Sequence, residues 1–337
     1  MRNETRRLYN AYLQQLAQLH GVPDVTTKFA TAPSVTQKLE TRIQESSEFL
    51  RRINIYGVDE QMGEKIGLGI SGPIAGTTDT TAKDRETRDP STLDDRGYLC
   101  TQTNFDTHLR YAKLDAWAKF PDFQARIRDA IIKLMALSRI MIGWNGTSRA
   151  DSSNAATNPL LQDVNVGWLQ KMRLENAARV IKEVEPDSGK IVIGDGKDFA
   201  NLDALVFSMV AEFIEPWYQE DPELVVVCGR QLLADKYFPI INQKLDPTEM
   251  LAADIVTSQK RIGNLPAVRV PYFPANGLMV TRLDNLSVYW QEGTRRRTVV
   301  DNAKRDRVEN FESVNEAYVI EDLGCAALAE NIDLVGK

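Results

Sequence analysis

The stretch from Pro121 to Gly143, PDFQARIRDAIIKLMALSRIMIG, constrains the fold more than any other. Phe123, Ile127, Ala130, Ile131, Leu134, Leu137 and Met141 recur at three- and four-residue spacing, which places them along one face of a helix. Pro121 suits the first turn, and Gly143 or the Asn145-Gly146 pair is expected to end the helix through a left-handed residue. Such a helix is about 30 Å long. Ile132, Met135, Ile140 and Ile142 make its second half apolar on nearly every side, so that half is expected to be buried among strands or other helices. By itself the helix names no function.

A chain of 337 residues is longer than one hydrophobic core usually serves, so one large domain with excursions or two domains is expected. Hydrophobic residues at 43% and charged residues at 26% are those of an ordinary soluble chain and exclude disorder throughout. The net charge of −6 argues against a dedicated nucleic-acid binder, while leaving room for a local basic patch. Cys100, Cys228 and Cys325 are far apart and form no C-x-x-C pair, which fits free thiols and excludes a disulfide scaffold or a zinc ribbon. Lys133 and Arg139 break the longest apolar run, so no membrane span is expected. The opening MRNETRRLYNAYL has charge but no apolar centre of a secretory signal, so the protein is expected to work, at least initially, where it is made.

In chain order, residues 3–19 read as an amphipathic helix with Leu8, Tyr12, Leu16 and Leu19 on one stripe, stopped by Gly21 and Pro23. A polar stretch from Val22 to Ala32 separates it from the rest of the chain. Such a tethered helix is either a removable or partner-binding element or a helix packed on its own core, and one stripe does not decide between them. A second helix is expected from Ser34, with Gln37 completing a capping box and Val35, Leu39, Ile43 and Leu50 as its stripe. Strand chemistry resumes at Ile53–Tyr56. EKIGLGISG (64–72) and YLCTQTNFDTHLRY (98–111) both alternate with a period of two around a polar, charged interval. They read as a long antiparallel hairpin with a flexible tip, its second strand reaching roughly 45 Å. A two-stranded ribbon of that length must lie on something, and a neighbouring subunit is a natural support.

Residues 147–159 form a loop by composition, and Val164–Arg173 a short helix carrying Trp168. Val180–Val184 and Ile191–Ile193 flank Pro186-Asp187-Ser188-Gly189 and read as a hairpin. Leu202–Ile214 is a helix stopped by Pro216, Leu224–Cys228 a buried strand, and Gln231 towards Ile241 a helix interrupted by Pro239. Residues 265–300 return to strands, with a Glu292-Gly293 turn between NLSVYWQ and TRRRTVV, and the tail VNEAYVIEDLGCAALAENI is strand-like again. Helices and strands mix without a βαβ repeat, so the fold class is α+β.

Catalytic chemistry is mostly absent from the pattern. Gly67-Leu68-Gly69-Ile70-Ser71-Gly72 spells G-x-G-x-x-G, but Pro73 and a threonine-rich loop follow where a phosphate-binding version opens a helix. Glycines in a ribbon under close backbone approach account for it better. The only histidines are His20 and His108, and no G-x-S-x-G elbow is present. Glu212, Glu215, Glu220, Asp221 and Glu223 read as a solvated or partner-facing acidic patch. Arg295, Arg296 and Arg297, with Lys304, Arg305 and Arg307, are interleaved with acids and read as inter-subunit ion pairs. No catalytic residue, cofactor site or metal site is assigned.

Longer phrases carry a resemblance. PSVTQKLETRIQESSEFLRRINI, GEKIGLGISG, FPDFQARIRDAIIK, NPLLQDVNVGWLQK, EPWYQEDPELVVVCGRQLLADKYFPI, EMLAADIV, SQKRIGNLPAVRVPYFPA and RVENFESVNEAYVIED together resemble the major capsid protein family of P-two-like tailed bacteriophages, in the same order over nearly the whole chain. The resemblance implies the Hong Kong type of capsid fold. It implies a scaffold-like segment over 1–32 that is cleaved, an N-terminal arm over 33–57 and an extended β-hairpin loop over 58–111. It further implies a peripheral domain with the spine helix over 112–202, an axial domain over 203–271 and returning peripheral strands over 272–337. The implied function is self-assembly into pentamers and hexamers that close an icosahedral phage head around double-stranded DNA, without enzymatic activity. The implied partners are further copies of the chain, an internal scaffold, a prohead protease, a portal protein and the packaged DNA, with no membrane and no cofactor. The implied location is the virion, after assembly in the bacterial host cytoplasm. An encapsulin-like nanocompartment shell is the rival within the fold. A dinucleotide-dependent soluble enzyme is the rival from another class, and it would be stabilised by added nucleotide.

Overall fold

The computed structural model describes residues 1–65, 75–87, 97–120, 122–233 and 261–334. The chain opens with α1 (Asn3–His20), ended by Gly21 in the left-handed region, where the Gly21 and Val22 amides return to the Gln18 and Ala17 carbonyls. The stretch expected to be a polar separator instead buries Val25, Phe29 and Thr31 and contributes a strand, β1 (Phe29–Ala30). α2 (Pro33–Glu45) comes next, with Ala32 as N-cap and Pro33 in its first turn. No side chain caps it, so the box expected from Ser34 and Gln37 is not made: proline needs no amide partner, and its fixed φ starts the helix one residue before the serine.

α3 (Glu48–Arg52) leads into β2 (Asn54–Val58) and β3 (Met62–Gly63), and β4 (Tyr98–Leu99) pairs antiparallel with β3. Of the expected hairpin the structure describes this base and residues 75–87, which carry turns and no strand. Residues 66–74 and 88–96, with the glycine motif at 67–72, lie outside the described residues. The single long strand expected over 98–111 is broken into β4, β5 (Thr101–Asn104) and β6 (Thr107–Arg110). Both later pieces pair with one long strand near the C-terminus, Arg307–Ile320, with Thr103 opposite Val314 and Leu109 opposite Val308. Alternation specifies which side chains share a face but not which strand lies alongside.

α4 (Tyr111–Trp117) precedes the spine helix, α5 (Phe123–Asn145), whose N-cap is Asp122; Pro121 lies outside the described residues. The left-handed end does not form. Gly146 leaves the helix in an extended conformation, φ −62° and ψ 121°, while its amide and the Asn145 side chain close the last turn on Ile142 and Met141. The second half is buried as expected, through Ile132, Met135, Ala136, Arg139, Ile140, Ile142 and Trp144. Ala130 is exposed and Leu134 is 56% exposed, so the core-facing side is rotated away from the longer apolar stripe.

Next come α6 (Trp168–Glu175), β7 (Val180–Ile181), β8 (Ile191–Ile193) and α7 (Leu202–Phe213), the last capped by Asn201 on the Ala204 amide. β9 (Val225–Cys228) is fully buried, and the helix expected from Gln231 is described only to Leu233. The chain ends with β10 (Arg261–Ile262), β11 (Leu265–Val268), β12 (Leu278–Thr281), β13 (Leu286–Gln291), β14 (Arg296–Asn302), β15 (Arg307–Ile320), β16 (Ala326–Ala329) and β17 (Ile332–Leu334).

These elements form two compact units. The first comprises residues 1–63, 98–166 and 287–318. Its sheet runs β1-β14-β15-β13-β2, with β5 and β6 also on β15. β15 therefore lies between β13 and β14, and the Glu292-Gly293 turn joins strands that are not neighbours. α2 packs on α5, and Phe49 meets Trp144 with ring centroids 5.4 Å apart.

The second unit comprises residues 64–97, 167–286 and 319–337. Its sheet runs β10-β11-β9-β12-β16-β7. α7 lays Leu205, Val206 and Met209 into a core with Val226, Cys228, Leu278, Val280, Ala327 and Ala329. The expected hairpin between β7 and β8 is not made: β7 runs parallel to β16 and β8 parallel to β17. β7, β12 and β16 share a sheet with β9 although they fall outside 203–271, so that range does not coincide with this unit.

Candidate functional site: a buried charge cluster

In the first unit the densest chemistry is a set of charges withdrawn from water. Arg139, on the buried side of α5, is 0% exposed. It grips Glu40 of α2 with two bonds, Nη1 to Oε2 at 2.6 Å and Nη2 to Oε1 at 3.0 Å. Its Nε and Nη2 also donate to Glu316 Oε1 of β15, at 2.9 and 2.6 Å. Arg295, just before β14 and also buried, bonds Glu40 and Glu312. Arg297 donates to Asn310 at 2.8 Å and to the Tyr12 hydroxyl at 3.2 Å, and lies 4.0 Å from Glu312. Three guanidiniums thus face three carboxylates contributed by α2, α5, β15 and the β14 end.

Burial dominates the electrostatics. It raises the Glu316 carboxyl above its ordinary range, with Glu40 adding to the rise and Arg139 opposing it. Burial acts in the same direction on Glu40, but Arg139 and Arg295 together outweigh it and hold that carboxyl below its ordinary range. Glu316 Oε2 has no hydrogen-bond partner among the described residues. The Asn165 side chain donates to the Glu316 carbonyl at 3.0 Å, which fixes the strand that carries it.

The second feature of this unit is how the N-terminal segment is held. Tyr9 and Leu16 of α1, with Val25 and Phe29, pack against Tyr111, Leu114, Ile127, Val299 and Val308. Arg6 pairs with Asp301, which also accepts from the Tyr111 hydroxyl. β1 pairs with β14, Phe29 opposite Arg297. His20 is buried with its ring 5.0 Å from Phe29, and its Nδ1 has no partner among the described residues.

Several sequence expectations change here. Arg295 and Arg297 were expected to pair between subunits, but both find carboxylate or polar partners within the chain. In the acidic patch Arg282 bonds Asp221 and Glu223, and Arg179 bonds Glu215, while Glu212, Glu220 and Glu223 stay exposed as a solvated patch would. His108 faces solvent on β6, opposite Glu309. The three thiols are free and buried, and burial pushes Cys100 and Cys325 up to about 12. Among the described residues no three His, Cys, Asp or Glu side chains gather as metal ligands, and no helix is long and apolar enough to cross a membrane. Glu40, Arg139, Glu312 and Glu316 were missed as a set. The available signal was Arg139 sitting four residues after Met135 and three before Ile142, a charge on a buried stripe.

Residues 8–332 match the model of the phage major capsid protein, P2 family. The chain belongs to that family. It is 55% identical to the capsid protein of Escherichia phage P2, over 98% of this chain and 95% of the relative. It is 41% identical to the major capsid protein of Serratia phage KSP20, over 98% and 97%. Among solved structures, a chain of the satellite phage P4 procapsid that includes the size determination (Sid) protein aligns with 52% identity and a TM-score of 0.83, covering 99% of both chains. The α+β class and the phage-capsid fold are therefore established for this major capsid protein, and its function is to form the procapsid shell of a P2-like phage. Membership of the phage capsid family replaces the encapsulin-like and dinucleotide-enzyme alternatives.

Arg139→Met leaves Glu316 without its guanidinium and Glu40 with Arg295 alone in a buried site, and is expected to cost roughly 3–5 kcal/mol, read by calorimetry of assembled particles. Glu316→Gln keeps an oxygen for Arg139 to donate to but removes one of its two carboxylates, and is expected to cost roughly 1–3 kcal/mol. His20 is held below its ordinary value of 6.5, first by burial and then by Arg297, with Glu312 opposing. The unfolded chain therefore takes up a proton more readily than the folded one, so the stability contributed is complete above 6.5 and is lost as pH falls through the lowered folded value. Acidification from about pH 7.5 to about pH 5.5 is expected to lower the protection of the α1 amides, taken as exchange relative to the intrinsic rate at each pH, and His20→Gln to flatten that response.

Proposed function

We infer that the shell is built from pentamers and hexamers of this chain, assembled in the bacterial host cytoplasm around an internal scaffold and a portal protein, and filled with double-stranded DNA. The first unit serves as the peripheral domain, with α5 as spine and α2 as the root of an N-terminal arm. The sheet around β9 serves as the axial domain, and the hairpin based on β3 and β4 as the extended loop. The segment before Pro33 is removed by a prohead protease during maturation. The chain is structural rather than catalytic.

The observation that best supports this reading is the layout of the N-terminal segment. α1 and β1 form a continuous block on one face of the first unit, and a single strand connection, through Thr31 and Ala32, leads from it into α2. A block joined to the rest at one point can be lost without cutting through α2, α5 or β15. Surface for neighbours is also present: a groove of about 470 Å³ runs between β5, β6 and α5, with Ile131 and Leu134 in its wall. The net charge of −6 suits a container that encloses DNA without gripping it.

Sedimentation velocity of the purified chain, alone and co-expressed with scaffold and protease, tests the reading. The expected result is capsomers or megadalton particles, with intact-mass analysis showing loss of the residues before Pro33 only when the protease is present. A monodisperse monomer or dimer in both preparations contradicts it.

A further inference from the structure

We propose that the face of the first unit beneath α1 is a separable docking site for an amphipathic helical peptide, and that the chain's own residues 1–26 stay seated there without a covalent link. The biological use of such a site rests on the proposed removal of the N-terminal segment, whereas the site itself rests on contacts alone.

The contacts have the anatomy of an interface between two chains. At the centre, Tyr9 and Leu16 are 4% and 7% exposed and pack against Tyr111, Leu114, Ile127, Val299 and Val308. A space of about 40 Å³ remains between these surfaces, lined on the helix side by Tyr9 and Tyr12. Polar contacts ring this centre: Arg6 with Asp301, the Arg2 amide with Asp115 at 2.9 Å, and Arg297 with the Tyr12 hydroxyl at 3.2 Å. Val25 closes one end, 2% exposed, its carbonyl accepting from the Val299 amide at 3.0 Å. An apolar centre with a polar rim is how separate partners hold one another.

The peptide also carries its own stop. Gly21 ends the helix with bonds to Ala17 and Gln18, so the helix termination does not depend on the chain beyond it. Thr26, Thr27 and Lys28 are exposed, so the connection between Val25 and Phe29 runs over the surface and adds no anchor there. The recognition element is therefore a helix with Arg6, Tyr9, Tyr12 and Leu16 on one side. Leu19, 60% exposed, lies off that side and serves as an apolar control.

The test inserts the recognition sequence of a site-specific protease between Thr26 and Thr27, or between Pro23 and Asp24 if the first insertion impairs assembly. Particles are cut at neutral pH, passed through gel filtration, and the fragment is quantified by mass spectrometry. The expected result is a fragment that co-elutes with the particle and exchanges slowly with a fluorescent synthetic peptide of residues 1–26. Tyr9→Ala with Leu16→Ala in the same chain is expected to speed its loss at least about tenfold, and Leu19→Ala to leave it unchanged. Immediate release of the parent fragment overturns the proposal, as does equal loss from the Leu19→Ala and the double variant. Because the cut is engineered, either result stands whether or not a phage protease removes the segment.

Discussion

A guanidinium moved from water to a protein interior loses several kcal/mol of hydration unless carboxylates replace it, and that requirement governs the first unit. Arg139 sits in the middle of the spine helix with no exposure to solvent, so Glu40 and Glu316 must be where they are. Glu40 belongs to α2 and Glu316 to β15, and Arg295 ties Glu40 onward to Glu312. A helix before the spine, the spine itself and two strands far along the chain are thereby fixed in one register. Apolar packing alone tolerates sliding by a fraction of a turn, whereas paired hydrogen bonds at 2.6–3.0 Å do not.

A shell subunit needs that kind of rigidity. Each contact with a neighbour is repeated over the whole particle, and an error in the angle between elements of one subunit accumulates around the closed surface. The charge cluster engages α2 through Glu40, in the second half of that helix. In contrast, the block formed by α1 and β1 is attached to the same unit through ordinary interface chemistry, one sheet edge and one surface ion pair. The unit thus combines a locked interior with a cover that has few covalent ties.

Helices were legible because their period is local. The spine over Phe123–Asn145, α1 ended at Gly21 and α7 ended before Pro216 are all set by spacing and stop residues. Strand partners were not legible, because a period of two says nothing about what lies alongside. Residues 98–111 alternate as one strand, yet β5 and β6 go to β15, and the Glu292-Gly293 turn suggests a hairpin that β15 separates. The charge cluster failed to emerge for a related reason. Arg139 reads in sequence only as a break in an apolar run, and Arg295–Arg297 as surface charge, since their carboxylates are supplied from 99 and 255 residues away at Glu40 and from strands whose pairing was unknown. The capsid family itself was legible from whole phrases, which carry the information that local patterns lack.

A double-mutant cycle on Glu40→Gln and Arg139→Met, read as the unfolding free energy of assembled particles, tests most directly whether the buried cluster couples α2 to the spine. The account predicts a coupling energy of about 2 kcal/mol or more, because the two bonds between Glu40 and Arg139 are lost with whichever partner is changed first. Additivity within about 0.5 kcal/mol would mean that α2 and the spine are held by apolar packing, and would contradict it.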